Sequence, residues 1–534
     1  MSSIDPTYDF IVIGSGFGGS VSALRLAQKG YKVLVIEKGR WYDQGDFART
    51  TWNLKRWLWL PALKLTGIMR VTVLRHISIL SGVGVGGGSL VYAATLPVPK
   101  PAFFHSGSWA SLHDWASVLK PHYDTAYRML GAGFNPQLGP GDQALARVAR
   151  RIGRDEQFHP SKVGIFFART PAEAGQTVAD PYFDGAGPAR APCTHCGACM
   201  TGCRHNAKNS LDKNYLYLAQ ALGARVLAET EVRDVRPLGP QGRDGYEVQV
   251  RDSTRWQPRQ RTLRAGGIVF AGGVLGTVKL LLQLKAGAMP DLSDRVGCNI
   301  RTNNECLIAV TTADKREDFS QGIAIGSVLH ADPDSHLEPV RYGKGSGTWR
   351  LGMLPMAYGR NAWVRLGRML REMARHPRQY ARIFTVGNWA QRSQVLLFMQ
   401  HLDSTLRLRL GRTGRLRSEL DVGPAPQAHI PRAEELARLY AQEINGKPFT
   451  LLTEQLLDIP STAHILGGAM MGADAATGVV DASGRLFGYR NALVCDGSVV
   501  SANPGVNPSL TITAIAEHIM AQVPASATCR RSTK

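Results

Sequence analysis

No run of eighteen or more uncharged apolar residues occurs in the 534-residue sequence, so no transmembrane helix is expected. The N-terminal MSSIDPTYDF has neither a basic n-region nor an apolar h-region, which argues against a secretory signal. A cytoplasmic location follows by default, and cysteines there stay reduced unless they bind metal. Fixed-period repeats and low-complexity tracts are absent. No nucleic-acid-binding motif is found, and no nucleic-acid partner is expected. Acidic residues are scarce beside basic ones, 42 against 63, leaving a formal charge of +21. That surplus is either a plain arginine-rich surface or a match for an anionic partner, such as lipid headgroups or an acidic redox protein. It is spread along the chain but denser at 364–382, VRLGRMLREMARHPRQYAR. There Val364, Leu366, Met369, Leu370 and Met373 recur at helical spacing among arginines. The pattern suits a solvated helix with a core stripe, or a helix in peripheral contact with a membrane.

What is present is organised around residues 8–40, YDFIVIGSGFGGSVSALRLAQKGYKVLVIEKGR. Phe10 to Ile13 reads as a buried parallel strand. A glycine turn follows, then a helix over 20–29 and a second strand closed by Glu37. This is a βαβ unit of the dinucleotide-binding kind. Gly14 permits the tight turn, Gly16 lets backbone approach a pyrophosphate, and Gly19 lets helix and strand pack closely. The helix N-terminus offers free N–H groups to phosphate. A carboxylate at position 37 can accept from ribose hydroxyls and disfavours a 2′-phosphate, leaving NAD and FAD open.

The length predicts two domains. Glycines at 82, 84, 86, 87 and 88 suit backbone passing against a flat, rigid object. Helices are expected within 101–160, over 210–222, 276–284, 364–382 and 432–445, and in SLTITAIAEHIMAQV near the end. Strands are expected over 225–235, in a hairpin over 245–264, in a separate run over 267–273, within 300–455, and in NALVCDG.

The N-terminal unit, GVGVGGGSLVYA, GIVFAGGVLGTVKLLL, HILGGAMMG and CDGSVVSANPGVNPSLTITAIAEH occur in that order. Together they resemble the glucose–methanol–choline (GMC) oxidoreductases, most of all the bacterial cholesterol-oxidase branch. The resemblance implies an α/β fold with a Rossmann-like, discontinuous FAD-binding domain over 1–100, 205–300 and 456–525. It further implies an α+β substrate domain with an antiparallel sheet over 301–455. Residues 101–204 are read as a helical and cysteine-bearing insert, and 526–534 as a tail. FAD is implied rather than NAD, held by Gly14, Gly16, Phe17, Gly18, Gly19 and Glu37. Gly87, Gly88 and Ser89 would lie by the isoalloxazine or pyrophosphate, and Val232 would contact adenine. Asp496 and Gly497 would meet the ribityl–phosphate region, with Asn507, Pro508 and Ser509 beside the pyrimidine ring. The family oxidises alcohols by hydride transfer to flavin. The resemblance makes His464 the proton acceptor and Asn507 the group orienting the substrate oxygen, roles that imidazole chemistry supports. Steroid oxidases of the family also use a glutamate to isomerise the ketone. Glu305 and Glu338 are the polar candidates here, both read as structural, and isomerisation is not inferred.

Four of the eight cysteines fall in eleven residues: Cys193, Cys196, Cys199 and Cys203. The spacing C-x2-C-x2-C-x3-C matches a bacterial ferredoxin run, with Arg204 in place of its following proline. An iron–sulfur cluster, 4Fe-4S or 3Fe-4S, is expected, with zinc second. Some sugar-oxidising relatives are thought to carry such a cluster in the corresponding region. The expected activity is FAD-dependent oxidation of a bulky, apolar or sterol-like alcohol. Electrons would pass through the cluster to an external acceptor, a redox partner or a membrane quinone pathway. The alternatives are an oxygen-using oxidase with a structural metal site, and a non-redox lyase or photodecarboxylase.

Overall fold

The computed structural model describes residues 8–527. The first seven residues of the stretch read for a signal, and residues 528–534 of the expected tail, lie outside the described residues. Tyr8–Ile13 forms the centre of a seven-stranded sheet. It pairs in parallel with Val33–Ile36 on one side and Gln260–Phe270 on the other. Arg225–Leu227 extends the first edge, Tyr246–Asp252 and Thr230–Pro237 extend the second, and Ala492–Val494 pairs in parallel with Gln260–Phe270. Strands buried on both faces read as continuous apolar runs, which is why Val33–Ile36 is apolar throughout.

Gln260–Phe270 is one eleven-residue strand, where two were expected. Its first half is antiparallel to Tyr246–Asp252, and its second half runs parallel with Tyr8–Ile13. The Gly266–Gly267 pair looks like a break but is a packing device: a Cβ on Gly267 would stand 2.5 Å from the Phe10 ring. Helix Phe17–Gln28 packs against Ser509–Ala521, which in turn packs against Trp115–Met129. Arg25 Nε donates to Glu517 at 2.7 Å across the first of these contacts.

The second seven-stranded sheet is antiparallel. Its order is Met353–Pro355, Gly446–Leu451, Cys306–Thr312, Ser393–Gln400, Ser335–Val340, Ser327–Leu329, Phe158–Pro160. One face packs on helices Pro140–Arg151 and Pro431–Glu443 through Ala144, Leu145, Leu436 and Tyr440. The other face carries Val340, Val395 and Leu397 and looks toward the glycine turns of the first sheet. The expected α/β class is therefore what the chain forms. Pieces of 101–204 are shared between both layers: Trp115–Met129 joins the first core, and Pro140–Arg151 and Phe158–Pro160 join the second sheet.

The basic segment 364–382 is two helices, Ala362–Arg375 and Pro377–Phe384, because Pro377 cannot continue the first. Its expected core stripe is only partly inward. Arg365 and Met369 are buried, while Leu370 is half exposed and Trp363 is 81% exposed. No described helix is long and apolar enough to cross a membrane.

Candidate active site

The two sheets close over a cavity of about 300 Å³. Gly16, Phe17, Gly18 and Gly88 form its wall on the first sheet, with Gly272, Gly273 and Gly276 from the start of helix Gly273–Lys285. The second sheet supplies Leu307, Val340, Val395 and Leu397, and the C-terminal segment supplies His464, Asp496, Gly497, Asn507, Pro508 and Ser509.

The glycines divide into two kinds. A Cβ on Gly14 would stand 2.2 Å from the Ala271 carbonyl oxygen, and one on Gly18 would stand 1.7 Å from that of Cys495. These positions, with Gly19, let backbone pack on backbone. Beyond their own chain neighbours and helix backbone, Gly16, Gly273 and Gly276 have no atom of the described residues within 4 Å of where a Cβ would be, although all three line the cavity. Such a cradle, opening on the N-terminus of the twelve-residue helix Phe17–Gln28, fits a dinucleotide pyrophosphate.

Gly87, Ser89, Glu37 and Val232, also expected to hold the cofactor, do not line this cavity. Gly87 backs onto Gly16, whose Cα would be 2.6 Å from a Cβ there. Ser89 Oγ donates to the Gly86 carbonyl at 2.7 Å and accepts from Leu211 N–H at 3.0 Å. Glu37 is buried, with Oε2 accepting from Ser15 N–H and Oγ–H at 3.1 and 2.7 Å and Oε1 accepting from Gly39 N–H at 2.9 Å. Val232 lies on Thr230–Pro237 opposite Val250, where the register shifts before Asp234. Asp496 holds the cavity wall together. It accepts from Gly273 N–H and Thr277 Oγ on one oxygen, and from Ser498 N–H and Oγ on the other.

His464 and Asn507, forty-three residues apart, share this cavity. His464 Nδ1 lies 2.9 Å from Oε1 of Glu305, itself accepting from Thr462 Oγ and Ala463 N–H. An Nδ1–H donated to Glu305 leaves Nε2 as the basic nitrogen. Burial works against the charged imidazole, but the charge and hydrogen bond of Glu305 outweigh it and raise the proton affinity of His464. Asn507 Nδ2 donates to Glu338 Oε2 at 3.3 Å, and its buried Oδ1 makes no hydrogen bond among the described residues. Burial pushes the Glu338 carboxyl up to about 7. Both glutamates, read from sequence as structural, thus support the two expected catalytic residues. The signal available was the alternation in SHLEPV, which puts His336 and Glu338 on one face of a strand.

Cys193, Cys196, Cys199 and Cys203 line a single small cavity. Backbone N–H groups point at its sulfurs: His195 at Cys193 Sγ, 3.3 Å, and Ala207 and Lys208 at Cys203 Sγ, 3.4 Å each. Among the described residues, no three His, Cys, Asp or Glu side chains converge to hold a single metal ion. Lys208 Nζ is buried and donates to the carbonyls of Cys199 and Leu90 at 2.7 and 2.8 Å. Met200, next to Cys199, lines the large cavity, a contact no sequence motif announced.

The chain is 43% identical over 530 residues to the cholesterol oxidase of Acinetobacter baumannii, spanning 98% of this chain and 95% of the relative. It is 42% identical over 530 residues to the cholesterol oxidase of Mycobacterium tuberculosis, spanning 96% and 90%. Among solved structures it resembles pyridoxine 4-oxidase from Mesorbium loti, with a TM-score of 0.61, 16% identity, and 96% and 98% of the two chains covered. At that identity the likeness shows the fold alone. Residues 413–516 match the GMC oxidoreductase family and residues 9–305 the FAD dependent oxidoreductase family. The chain therefore belongs to the GMC family of FAD-dependent oxidoreductases acting on CH–OH groups, in the branch of the bacterial cholesterol oxidases.

Proposed function

We propose that the protein oxidises a bulky, apolar, sterol-like alcohol, with His464 taking the hydroxyl proton and Asn507 orienting the oxygen. One observation carries this reading: a histidine backed by Glu305 and an asparagine backed by Glu338 share a cavity whose second-sheet wall is apolar, Leu307, Val340, Val395 and Leu397. Bound FAD supplies the hydride acceptor. Gly16, Gly18, Gly88, Asp496, Gly497, Pro508 and Ser509 would hold it from the cavity wall, with Glu37 and Val232 toward its adenosine end. The partition into an FAD-binding domain over 1–100, 205–300 and 456–525 and a substrate domain over 301–455 belongs to the same reading. Removal of a general base of this kind lowers rates by about 10²–10⁴-fold. The test is anaerobic flavin reduction by cholesterol and by long-chain alcohols in the native protein and in His464→Gln. Reduction at equal rates in both would overturn the reading.

The cysteine cavity favours an iron–sulfur cluster held by Cys193, Cys196, Cys199 and Cys203. A cluster spreads its thiolates over several irons, so its ligands need not converge on one point as those of zinc must. The His195 amide at Cys193 and the buried Lys208 near Cys199 work against the burial that raises both thiols. Such a cluster supplies one-electron transfer. The junction of Met200 with Cys199 sets its cavity beside the substrate cavity, which suits delivery of electrons to an external acceptor.

A membrane source for the substrate is supported by exposed apolar residues around the cavity. Leu351 and Leu452 adjoin the lining residues Trp349, Met353 and Leu451, and Leu452–Leu457 packs on the arginine-rich helix bearing Trp363. That surface suits anionic lipid.

A further inference from the structure

Strand Ser335–Val340 turns His336, Glu338 and Val340 to the cavity side, while Leu337 packs into the opposite core. Two ionisable groups on a buried face are unfavourable unless they are paired or used. His336 Nε2 lies 3.7 Å from Glu338 Oε1, and both side chains are 3% exposed. Burial keeps the His336 imidazole neutral, down to about 3, and pushes Glu338 up to about 7, so the two do not form a firm ion pair. The next ring outward is His330, its centroid 5.7 Å from that of His336. His330 Nδ1 is buried and makes no hydrogen bond among the described residues. The residue sits at the end of Ser327–Leu329, its N–H donating to the Gln157 carbonyl at 3.1 Å, beside the exposed His159 and near Lys100.

We propose that Glu338, His336 and His330 form a proton route from the active site to solvent, a proposal that rests on His464 acting as the base. Oxidation of a secondary alcohol to its ketone breaks one C–H and one O–H bond and completes the carbonyl double bond. The hydride goes to the bound flavin and the hydroxyl proton to His464, which must lose it before the next turnover. Glu305 offers no exit. Its side chain is wholly buried and closed in by Thr462 and Ala463. Glu338 accepts from Asn507 Nδ2 at 3.3 Å, and Asn507 shares the cavity with His464, which sets the Glu338 carboxyl beside the base. From Glu338 the proton crosses to His336 and His330, each gap closed by a side-chain rotation or one bridging water.

The test uses ferricyanide as one-electron acceptor. Each alcohol oxidised to a ketone then reduces two ferricyanide ions to ferrocyanide and releases two protons, so protons are obliged to leave. In His330→Phe, kcat should fall about tenfold with kcat/KM within twofold. The solvent deuterium isotope effect on kcat should rise, and added imidazole should restore turnover. Anaerobic single-turnover flavin reduction should stay at the native rate. His330→Gln, a smaller change at a half-buried site, repeats the test if the phenylalanine variant loses FAD. Unchanged kcat and isotope effect in a folded variant would overturn the route, as would a loss that neither raises the isotope effect nor yields to imidazole. Failure of the underlying reading is distinguishable: the native flavin would then not be reduced by any apolar alcohol.

Discussion

His464 Nδ1 meets Glu305 Oε1 at 2.9 Å, joining residues 159 positions apart. The carboxyl group fixes the ring and raises its proton affinity against the opposing effect of burial. A base works in its deprotonated form, so activity falls as pH drops through the raised His464 value. Glu305→Gln removes the raising charge. The acid limb of the kcat/KM profile should therefore move to lower pH, with roughly a tenfold loss of rate, about 1.4 kcal/mol. A limb that stays in place would show that another group sets it.

Gly16 and Gly18 are two residues apart and should respond oppositely to alanine. Gly16→Ala puts a methyl into cavity space where no described residue other than its chain neighbours comes within 4 Å. The protein should fold and purify with at least tenfold less FAD. Gly18→Ala drives a methyl to 1.7 Å from the Cys495 carbonyl oxygen, so the fold itself should suffer. Flavin content and thermal unfolding of the two variants separate the effects.

These contrasts also mark how far the sequence could be read. The strand, glycine turn, helix and closing Glu37 are local, so their pattern was legible within thirty residues. The partners of His464 and Asn507 were not, because Glu305 and Glu338 come from the other sheet and its approach and no spacing rule links them. Gly266–Gly267 read as a break since glycine marks turns more often than it marks a tight ring contact. Pro377 was a visible stop signal within 364–382, and the helical periodicity on either side masked it. Arg365 is buried because its guanidinium meets the carbonyls of Gly359 and Gln455 and the carboxyl of Asp458, contacts that composition cannot foretell.

Asp142 and Arg341 form a buried ion pair at 2.7 Å, their side chains 0% and 1% exposed. Asp142 also accepts from Ser327 Oγ at 2.7 Å and Gly139 N–H at 2.9 Å. Asp142→Ala would leave a buried, uncompensated guanidinium and should destabilise the protein by about 3–5 kcal/mol. Urea unfolding measures this, and a loss below about 1 kcal/mol would contradict the account.

Burial pushes the Cys199 thiol up to about 12 and the Cys193 thiol higher still, so bare thiolates are disfavoured in this cavity. A cluster would hold them deprotonated. Cys199→Ser should therefore lose iron and acid-labile sulfide together while keeping its flavin. Native protein free of both would remove the relay reading and leave direct use of dioxygen.

The most direct test of the central claim is anaerobic mixing of the holoprotein with cholesterol or a long-chain alcohol while the visible flavin band is followed. The band should bleach in the native protein, and the bleaching should slow by about 10²-fold or more in His464→Gln. A native flavin that dithionite reduces but no apolar alcohol does would contradict it.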